Sequence, residues 1–250
     1  MSRSNVTLLI VLLLAVIFIA TFISTLLLFP GGPELVLNGS FEDGNFVGTS
    51  QEPLDCSNGS CKQLCGSSTT VNSWRVFMQS TGGTQNCTNV PDAVAWVTQP
   101  NPWGITAQAG TRFMDLTGIR SRPPAKFGSI HQDVAGLEPG STYELSFYVG
   151  TSNAFPPPTA PNGAFYRITV ETSPGLPEGK VSFDLPPTAN VSQWDLKKIP
   201  FTAVSPTITL SFSAFGSAPT NGNGGDYLGL DNVSLRKTCW IVRAILFGCP

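Results

Sequence analysis

The sequence predicts an all-β protein, a β-sandwich of the jelly-roll type, preceded by one N-terminal transmembrane helix. Short stretches that alternate apolar and polar side chains are typical of strands with one solvated face. The 250 residues include 25 Gly and 21 Pro but only 12% charged residues, so turn residues are abundant and helix-forming residues scarce. One uncharged apolar stretch, residues 6–29, is long enough for a bilayer, which needs about 20 residues.

The apolar stretch decides where the rest of the chain is expected to lie. It ends without a small-residue cleavage site, and a cleaved signal peptide usually has a shorter apolar region of about 7–15 residues. We therefore expect a retained signal anchor; a cleaved signal peptide and secretion are the alternative. Positive charge tends to stay cytoplasmic, and Arg3 precedes the stretch whereas no Lys or Arg occurs in residues 30–34. The remainder is thus expected outside the cytosol, at the cell surface.

Alternating side chains place the strands along the exported part. In residues 207–213, Ile208, Leu210 and Phe212 lie on one face and Thr and Ser residues on the other, as expected when one face is buried. Turn sequences such as Glu-Pro-Gly at residues 138–140 separate such stretches. The predicted strands are, in chain order, residues 34–38, 73–78, 93–98, 112–117, 128–134, 141–149, 165–172, 180–185, 194–201, 207–213 and 227–235. Strands of this number and length predict two packed sheets.

These observations divide the chain into five segments. The predicted organisation is a cytoplasmic tail at residues 1–5, an anchor at 6–29, a linker at 30–33, a jelly roll at 34–237 and a disulfide-closed apolar tail at 238–250. Residues 43–70 and 153–163 are predicted to be long loops, which in compact domains are often functional or pinned.

Six cysteines, all in the exported part, indicate an oxidising compartment. They form two groups: Cys56, Cys61, Cys65 and Cys87, and then Cys239 and Cys249. We expect two bridges in the first group, whose pairing the sequence leaves open, and one bridge in the second. A zinc site at Cys61-x3-Cys65 is the alternative, but no second close pair or histidine cluster supports it. Candidate glycosylation sites are Asn58, Asn86 and Asn190, whereas the sequons at Asn38 and Asn232 lie in strand motifs and are interpreted as structural.

The charge distribution excludes one class of partner. The net charge is −2, and no run of basic residues is longer than Lys197-Lys198. Proteins that bind nucleic acids neutralise phosphates with clustered Lys and Arg. We therefore expect no nucleic-acid partner.

Several short motifs follow one another in a recognisable order. They are LVLNGSFE at residues 35–42, DLTG at 115–118, GSIHQ at 128–132, LEPGSTYELSF at 137–147 and LDNVSL at 230–235. In this order they resemble the extracellular family called domain of unknown function 642, and more broadly galactose-binding-like jelly rolls and carbohydrate-binding modules. The resemblance covers residues 34–236 and implies a non-catalytic β-sandwich associated with polysaccharides. The anchor, the cysteine-rich first loop and the tail after Lys237 depart from the family pattern.

A calcium site is the first candidate constellation. In the last predicted strand, the apolar parity changes at Asp231-Asn232, which suggests a β-bulge. Modules that look similar often hold calcium between the opening Phe-Glu motif and the aspartate of the closing strand, and Glu42 and Asp231 match these positions. Carboxylate and carbonyl oxygens are the ligands that calcium requires. The alternative is that Glu42 and Asp231 hydrogen-bond backbone groups where two edge strands meet.

An aromatic platform for a sugar ring is the second candidate. Trp103 lies between Pro102 and Gly104 in a predicted loop, and exposed loop aromatics with a few polar neighbours often define binding sites. The nearby polar groups that we expect to take part are Asn101, Gln108, Arg112 and Asp115, together with Tyr148 on the polar face of its strand. The other candidates for such a platform, Trp74, Trp96 and Trp194, are expected in the core.

A catalytic centre is not expected. His131 is the only histidine, no G-x-S-x-G nucleophile elbow occurs, and a catalytic histidine needs a nucleophile or an orienting carboxylate nearby. We interpret His131 as a solvated strand residue. Paired carboxylates for glycoside hydrolysis are a property of the three-dimensional structure, and nothing in the sequence selects a pair.

The expected function is therefore lectin-like carbohydrate binding by a membrane-anchored module. A structural or protein-interaction module at the cell surface is the alternative, and a glycan hydrolase is a third. The tail contains an apolar run, residues 240–247, that is too short to span a bilayer. Two hypotheses account for it: the run contacts the membrane interface, with Arg243 near headgroups, or it covers the bottom of the core.

Overall fold

A computed structural model describes ten ranges of the chain. They are residues 29–46, 59–64, 69–77, 94–101, 104–116, 128–153, 166–174, 179–185, 193–216 and 226–239. In these ranges the protein consists of β-strands, turns and irregular segments, without an α-helix.

Twelve strands are formed in the described ranges. They are β1 Phe29–Glu34, β2 Cys61–Leu64, β3 Arg75–Phe77, β4 Val94–Thr98, β5 Arg112–Asp115, β6 Ser129–Ala135, β7 Thr142–Asn153, β8 Tyr166–Ser173, β9 Lys180–Leu185, β10 Trp194–Thr202, β11 Thr207–Gly216 and β12 Asp226–Cys239. Most lie within a few residues of the positions that side-chain alternation predicts.

The strands form two antiparallel sheets. The larger has the order β10-β7-β12-β5-β4-β2, with β1 also paired to β12, and the smaller has the order β3-β6-β11-β8-β9. From β5 to β12 the chain alternates between the sheets, apart from β8 and β9, which are neighbours. The resulting orders, β5-β12-β7-β10 and β6-β11-β8-β9, are those of a jelly roll. The all-β prediction is confirmed.

One hydrophobic core lies between the two sheets. Phe147 of β7 and Phe212 of β11 face each other across it, with ring centroids 5.1 Å apart. Trp74 and Trp96 are buried in the same cluster, as predicted. Truncating a buried aromatic side chain of this kind to alanine typically costs about 3–5 kcal/mol. Packing between the sheets is therefore the main support of the loops at their ends.

Two strands, β2 and β1, differ from the predicted positions. Strand β2 lies inside the segment 43–70, which was predicted as a loop, because Cys61, Gln63 and Leu64 are buried on both faces and leave no alternation to detect. Strand β1 lies at Phe29–Glu34 rather than at residues 34–38. Residues 30–33, expected to be a linker, thus form part of a strand that pairs with β12.

The chain divides into two compact units. One contains residues 34–235 and the other combines residues 1–33 with residues 236–250. In the second unit, β1 and the end of β12 pair, and Gly32 lies against Lys237. In the ranges that the structure describes, no helix is long and apolar enough to cross a membrane. The predicted anchor lies outside those ranges except for Phe29.

Candidate functional site

The connection between β4 and β5, residues 99–111, is closed at both ends by its own hydrogen bonds. At its base, Gln99 N donates to Thr111 O over 2.9 Å, and the Gln99 side chain donates to Gly110 O over 3.1 Å. Near its tip, Asn101 Nδ2 donates to Ile105 O over 2.6 Å, and Asn101 Oδ1 accepts from Ile105 N over 3.1 Å. We call residues 99–111 the β4–β5 connection. Pro102 and Trp103 lie outside the described residues.

Glu42, from the segment after β1, holds the second half of this connection. Its Oε1 accepts from the backbone N–H groups of Thr111 and Arg112, both over 2.7 Å. Its Oε2 accepts from the Thr111 hydroxyl over 2.9 Å. The carboxylate therefore replaces the strand partner that these backbone donors would otherwise need.

Gly110 allows Glu42 to approach this closely. Its φ is +68°, a conformation that side-chain-bearing residues rarely adopt. A Cβ placed on Gly110 would lie 2.4 Å from Glu42 Oε1 and 2.5 Å from its carboxyl carbon. Both the backbone conformation and the missing side chain are thus required at this position.

Asp231, on β12, holds the same half of the connection, at Gln108 and Ala109. Its Oδ2 accepts from Gln108 N over 2.8 Å and from Ala109 N over 2.9 Å, and its Oδ1 accepts from Asn232 N over 2.7 Å. Asn232 has a φ of +48°, and its side chain donates to Gln108 Oε1 over 2.8 Å. The positive φ of Asn232 lies where the alternation of buried residues changes, as expected for the predicted bulge, and both side chains contact the β4–β5 connection.

Burial changes the protonation behaviour of Asp231. The side chain is fully buried, and desolvation is the main cause that raises its pKa to about 7. The nearby charge of Glu42 also raises this pKa, whereas the backbone donors Ala109, Asn232 and Gln108 lower it. The site thus contains two close carboxyl groups of which one holds its proton up to near-neutral pH.

Trp194 holds the middle of the β4–β5 connection from the opposite edge of the sheet. Its indole Nε1 donates to Thr106 O over 3.0 Å, and its ring packs edge-on against Phe113 at 5.7 Å between centroids. With Ile105 and Ala107 it belongs to a small second hydrophobic cluster on the larger sheet. Trp194 is therefore half-buried and supports the connection, rather than lying in the main core as expected.

Replacing Trp194 with phenylalanine tests this support. The variant keeps the contact with Phe113 but loses the hydrogen bond to Thr106, and a neutral hydrogen bond contributes about 0.5–1.5 kcal/mol to stability. We expect a loss of about 1 kcal/mol in urea unfolding and faster amide hydrogen exchange in residues 104–107. Phe113→Leu serves as the control, because it alters the same cluster without removing the bond. Wild-type exchange rates in Trp194→Phe would show that the indole does not hold the connection.

The Arg112 side chain lies against two aromatic rings of the same chain. The guanidinium carbon lies 5.2 Å from the ring centre of Trp96 and 5.3 Å from that of Phe46, a geometry of cation–π contacts. Nη1 also donates to the backbone oxygen of Glu42. These contacts fix the segment that carries Glu42 against the sheet.

The predicted site residues are thus only partly brought together. Asn101, Gln108 and Arg112 lie in or directly after the β4–β5 connection, where they make the contacts described above. Asp115 is buried in β5, and its Oδ1 accepts from Leu228 N over 3.2 Å. Tyr148 lies on β7, opposite Leu196 of β10, with β12 between its strand and β5. A role for any of them in ligand binding stays a prediction.

Other predicted residues have simpler outcomes. Asn38 is structural, as predicted: its side chain binds backbone groups of Asp43 and Asn72. His131 is half-buried rather than solvated, and burial, followed by the charge of Arg75, lowers its pKa. Cys61 is disulfide-bonded. The candidate residues outside the described ranges are Asn58, Asn86, Asn190, Cys56, Cys65, Cys87 and Cys249, and the side chain of Cys239 is also not described.

Three contributors to the site were not predicted: Gly110, Phe46 and the supporting role of Trp194. A glycine two residues before a strand is a signal for a left-handed turn residue and would have pointed to Gly110. Phe46 and Trp194 carry no local signal, because their partners lie far away in the sequence.

Comparison with known proteins gives only remote similarities. No family model and no curated relative matches the sequence, so membership of the domain of unknown function 642 family stays a prediction. Among solved structures, the chain is similar to the module TmCBM61 in complex with β-1,4-galactotriose, with 14% identity, a TM-score of 0.47, and coverage of 82% of this chain and 99% of that one. The CBM22-1 xylan-binding domain of Paenibacillus barcinonensis Xyn10C has 15% identity and a TM-score of 0.36, with coverage of 84% and 97%.

A further similarity involves an enzyme. The arabinose-bound α-L-arabinofuranosidase MgGH51 has 12% identity and a TM-score of 0.40, and the match spans 83% of this chain but only 27% of the enzyme. None of these similarities is close, and the function is argued below from the site itself.

Proposed function

We propose that the protein is a non-catalytic carbohydrate-binding module, displayed outside the cytosol by its N-terminal apolar segment. The main observation in favour of this proposal is that hydrogen bonds from several elements hold the β4–β5 connection. Side chains from three separate elements, Glu42, Asp231 and Trp194, hold its backbone, and the Asn101 side chain bonds to the backbone of Ile105 within it. These contacts hold residues 106–112, which lowers the ordering cost of binding at this connection, and we propose that Trp103, on the same connection, contacts the sugar.

An aromatic side chain on a supported loop suits the recognition of a sugar ring. Pyranose rings have apolar faces that stack on an indole ring, and an aromatic side chain offers a large contact area at low entropic cost. Gln108 lies on the same connection and supplies an amide for hydroxyl groups. In this proposal the carboxylates do not touch the sugar, and Trp103 is the residue that carries most of the binding free energy.

The non-catalytic part of the proposal rests on the burial of Asp231. A carboxyl group with a raised pKa that has a second carboxyl group nearby is typical of an acid–base pair in glycosidases. However, Asp231 is 0% exposed, and a general acid must come within hydrogen-bond reach of the substrate. We therefore assign Glu42 and Asp231 to holding the connection.

We also propose that a calcium ion binds at Glu42 and Asp231. The residues fit the ion in their chemistry: both carboxylates lie close together, and one oxygen of each, Glu42 Oε2 and Asp231 Oδ1, accepts a single hydrogen bond. A divalent cation would relieve the repulsion that contributes to the raised pKa of Asp231. The described residues contain no group of three or more His, Cys, Asp or Glu side chains that could hold a metal ion together. Backbone carbonyls and water would therefore complete the coordination shell.

The proposal is tested with the full chain in lipid nanodiscs and a polysaccharide panel that includes β-1,4-galactan and xylan. We expect saturable binding to at least one polymer, weakened at least about tenfold by Trp103→Ala, which corresponds to about 1.4 kcal/mol. Val204→Ala is the control, since Val204 is 63% exposed and follows β10, apart from the predicted site residues. Each experiment is repeated in EDTA to separate a need for calcium from a need for Trp103.

Two outcomes would redirect the proposal. Unchanged binding in Trp103→Ala would move the sugar site away from the β4–β5 connection. If the folded protein binds none of the polysaccharides, this would favour the alternative, a structural or protein-interaction module. Release of reducing sugar from any polymer would contradict the non-catalytic assignment.

A further inference from the structure

Strand β9 lies at the edge of the smaller sheet. In the order β3-β6-β11-β8-β9 it pairs, among the described strands, with β8 alone. An edge strand presents backbone N–H and C=O groups to any further strand, and proteins protect such edges with proline, lysine or a short length. β9 has little of this protection, because its six residues, KVSFDL, contain one lysine and no proline.

The other edges of the two sheets are better protected. β10 contains Pro200 and the adjacent residues Lys197 and Lys198, and β1 contains Pro30 and Pro33. β3 has three residues, and β2 has four, of which three are buried. In the described part of the chain, β9 is therefore the edge best suited to pairing with another strand.

The sequence of β9 is complementary to itself in an antiparallel pair. When Ser182 is placed opposite Ser182 of a second copy, Lys180 lies opposite Asp184 and Val181 lies opposite Phe183. Opposite charges, and an aromatic with a β-branched side chain, are favourable cross-strand pairs. A shift of one residue in register places apolar side chains opposite charged ones, and a shift of two residues removes the charge pair.

The charged residues of β8 extend this pattern. Glu171 is the cross-strand partner of Lys180, and Arg167 is the partner of Asp184. The Arg167 guanidinium donates to both carboxylate oxygens of Asp184, over 2.6 and 3.0 Å. In two copies paired through β9, a row of alternating charge therefore crosses the contact. It runs from Glu171 and Lys180 of one copy to Asp184 and Arg167 of the other.

The apolar side chains of β9 have surface left to bury. Val181 and Phe183 pack against the main core but are only half-buried. Their cross-strand partners on β8, Val170 and Ile168, are 0% exposed. A second β9 strand would cover Val181 with Phe183 of the other copy, and Phe183 with its Val181, and would remove both from water.

We propose that two copies of this chain associate through β9, as antiparallel strands related by a two-fold axis at Ser182. The five-stranded smaller sheets of the two copies then form one continuous sheet. A contact of this symmetry closes on itself, so association stops at the dimer. The dimer is weak, because one pair of short strands buries less than the about 1,200–2,000 Å² of a stable interface. The contact depends neither on carbohydrate binding nor on membrane display.

Disulfide crosslinking of the full chain, purified in detergent, tests the two-fold axis. In the dimer the two Cα atoms of residue 182 lie about 4.5–5.5 Å apart, a separation that a disulfide bridges. Ser182→Cys should therefore form a covalent dimer at least about tenfold faster than Thr207→Cys on non-reducing gels. Thr207 is the matched control, because it is also exposed but lies on β11, with β8 between it and β9. Similar rates for the two variants would overturn the proposal.

Two charge variants in the Ser182→Cys background test the register. Lys180→Glu alone places two acidic side chains opposite each other, and Asp184→Lys alone places two lysines opposite each other. Each should crosslink about tenfold more slowly, which corresponds to about 1.4 kcal/mol. In a mixed dimer, however, the introduced glutamate faces the introduced lysine, and the native Asp184 faces the native Lys180. An equimolar mixture should therefore recover about half of the original rate, because half of all encounters are mixed.

The mixture separates the dimer contact from damage within one chain. Each substitution also alters a pair inside its own chain, Glu171 with Lys180 or Arg167 with Asp184, and this change is equally present in the mixture. Urea unfolding of each variant shows that it is folded. Unchanged rates in the single variants, or a mixture as slow as they are, would contradict the pairing of Lys180 with Asp184 across the axis.

Discussion

Gly110→Ala should destabilise the protein by several kcal/mol more than Gly104→Ala, although both glycines lie in the β4–β5 connection with nearly equal φ angles. The φ values are +68° at Gly110 and +67° at Gly104, and a side chain in this region costs about 1–2 kcal/mol. At Gly104 no atom of the described residues lies within 4 Å of an added Cβ, whereas at Gly110 Glu42 Oε1 lies at 2.4 Å. Alanine at 110 therefore displaces the carboxylate from its backbone donors, at a further cost of about 2–4 kcal/mol.

A double-mutant cycle identifies the cause of this effect. Urea unfolding is measured for Gly110→Ala and Gly104→Ala, each with and without Glu42→Ala. If the clash with Glu42 is the cause, Gly110→Ala in the Glu42→Ala background costs no more than Gly104→Ala does. Equal costs for the two glycine variants in the wild-type background would contradict the close packing of Glu42 on Gly110.

The fold was largely predictable, because a sheet with one buried and one solvated face has strands in which apolar and polar side chains alternate. Residues 180–185 and 194–201 were predicted as strands, and β9 and β10 lie at Lys180–Leu185 and Trp194–Thr202. Strand β2 was missed because neither of its faces is solvated. Alternation therefore fails where a strand is covered on both sides.

The candidate site was predictable only at the level of single residues. The parity change in β12 pointed correctly to Asp231, because a bulge must shift the pattern of buried residues by one position. Hydrogen bonding of Asp231 to backbone groups was predicted as the alternative to calcium, but its partners Gln108 and Ala109 were not predictable, since they are 123 and 122 residues away in the chain. Such contacts follow from the order of the strands in the sheet, which local sequence does not encode.

Asp115 shows a second limit of prediction from the sequence, because its burial was not predicted. It was predicted as one of the polar groups near Trp103, but it is buried at the end of β5 and accepts from the backbone of Leu228 in the neighbouring strand. A polar residue between two strands is buried or exposed according to what covers that face of the sheet. Only the arrangement of the neighbouring segments settles this.

The stability of the metal-free protein should fall as the pH rises from about 4 to about 7. Asp231 has an ordinary pKa of 3.8 when unfolded and a pKa of about 7 in the folded protein, with burial as the main cause. The folded state thus binds the proton more tightly, so the stabilisation is complete below pH 3.8 and is lost as the pH rises through about 7. A shift of this size corresponds to about 4 kcal/mol.

His131 acts in the opposite direction within this window. Its pKa is lowered in the folded protein, so the folded state disfavours the proton, and stability from this group rises as the pH increases towards 6.5. The shift of Asp231 is the larger one, and a net decrease is expected. Asp231→Asn should remove the decrease and leave the small rise from His131, whereas His131→Gln should steepen the decrease. Urea unfolding in EDTA at several pH values measures all three slopes.

Calcium should cancel the decrease if the ion binds between Glu42 and Asp231. An ion held by both carboxylates favours their ionised forms and neutralises the repulsion that helps to raise the pKa of Asp231. Stability in saturating calcium should then stay level or rise from about pH 4 to about pH 7, and the difference from EDTA should be largest at high pH. An unchanged decrease in calcium would contradict the ion while leaving the titration of Asp231 intact, because the backbone donors and the burial of the carboxyl group do not depend on it.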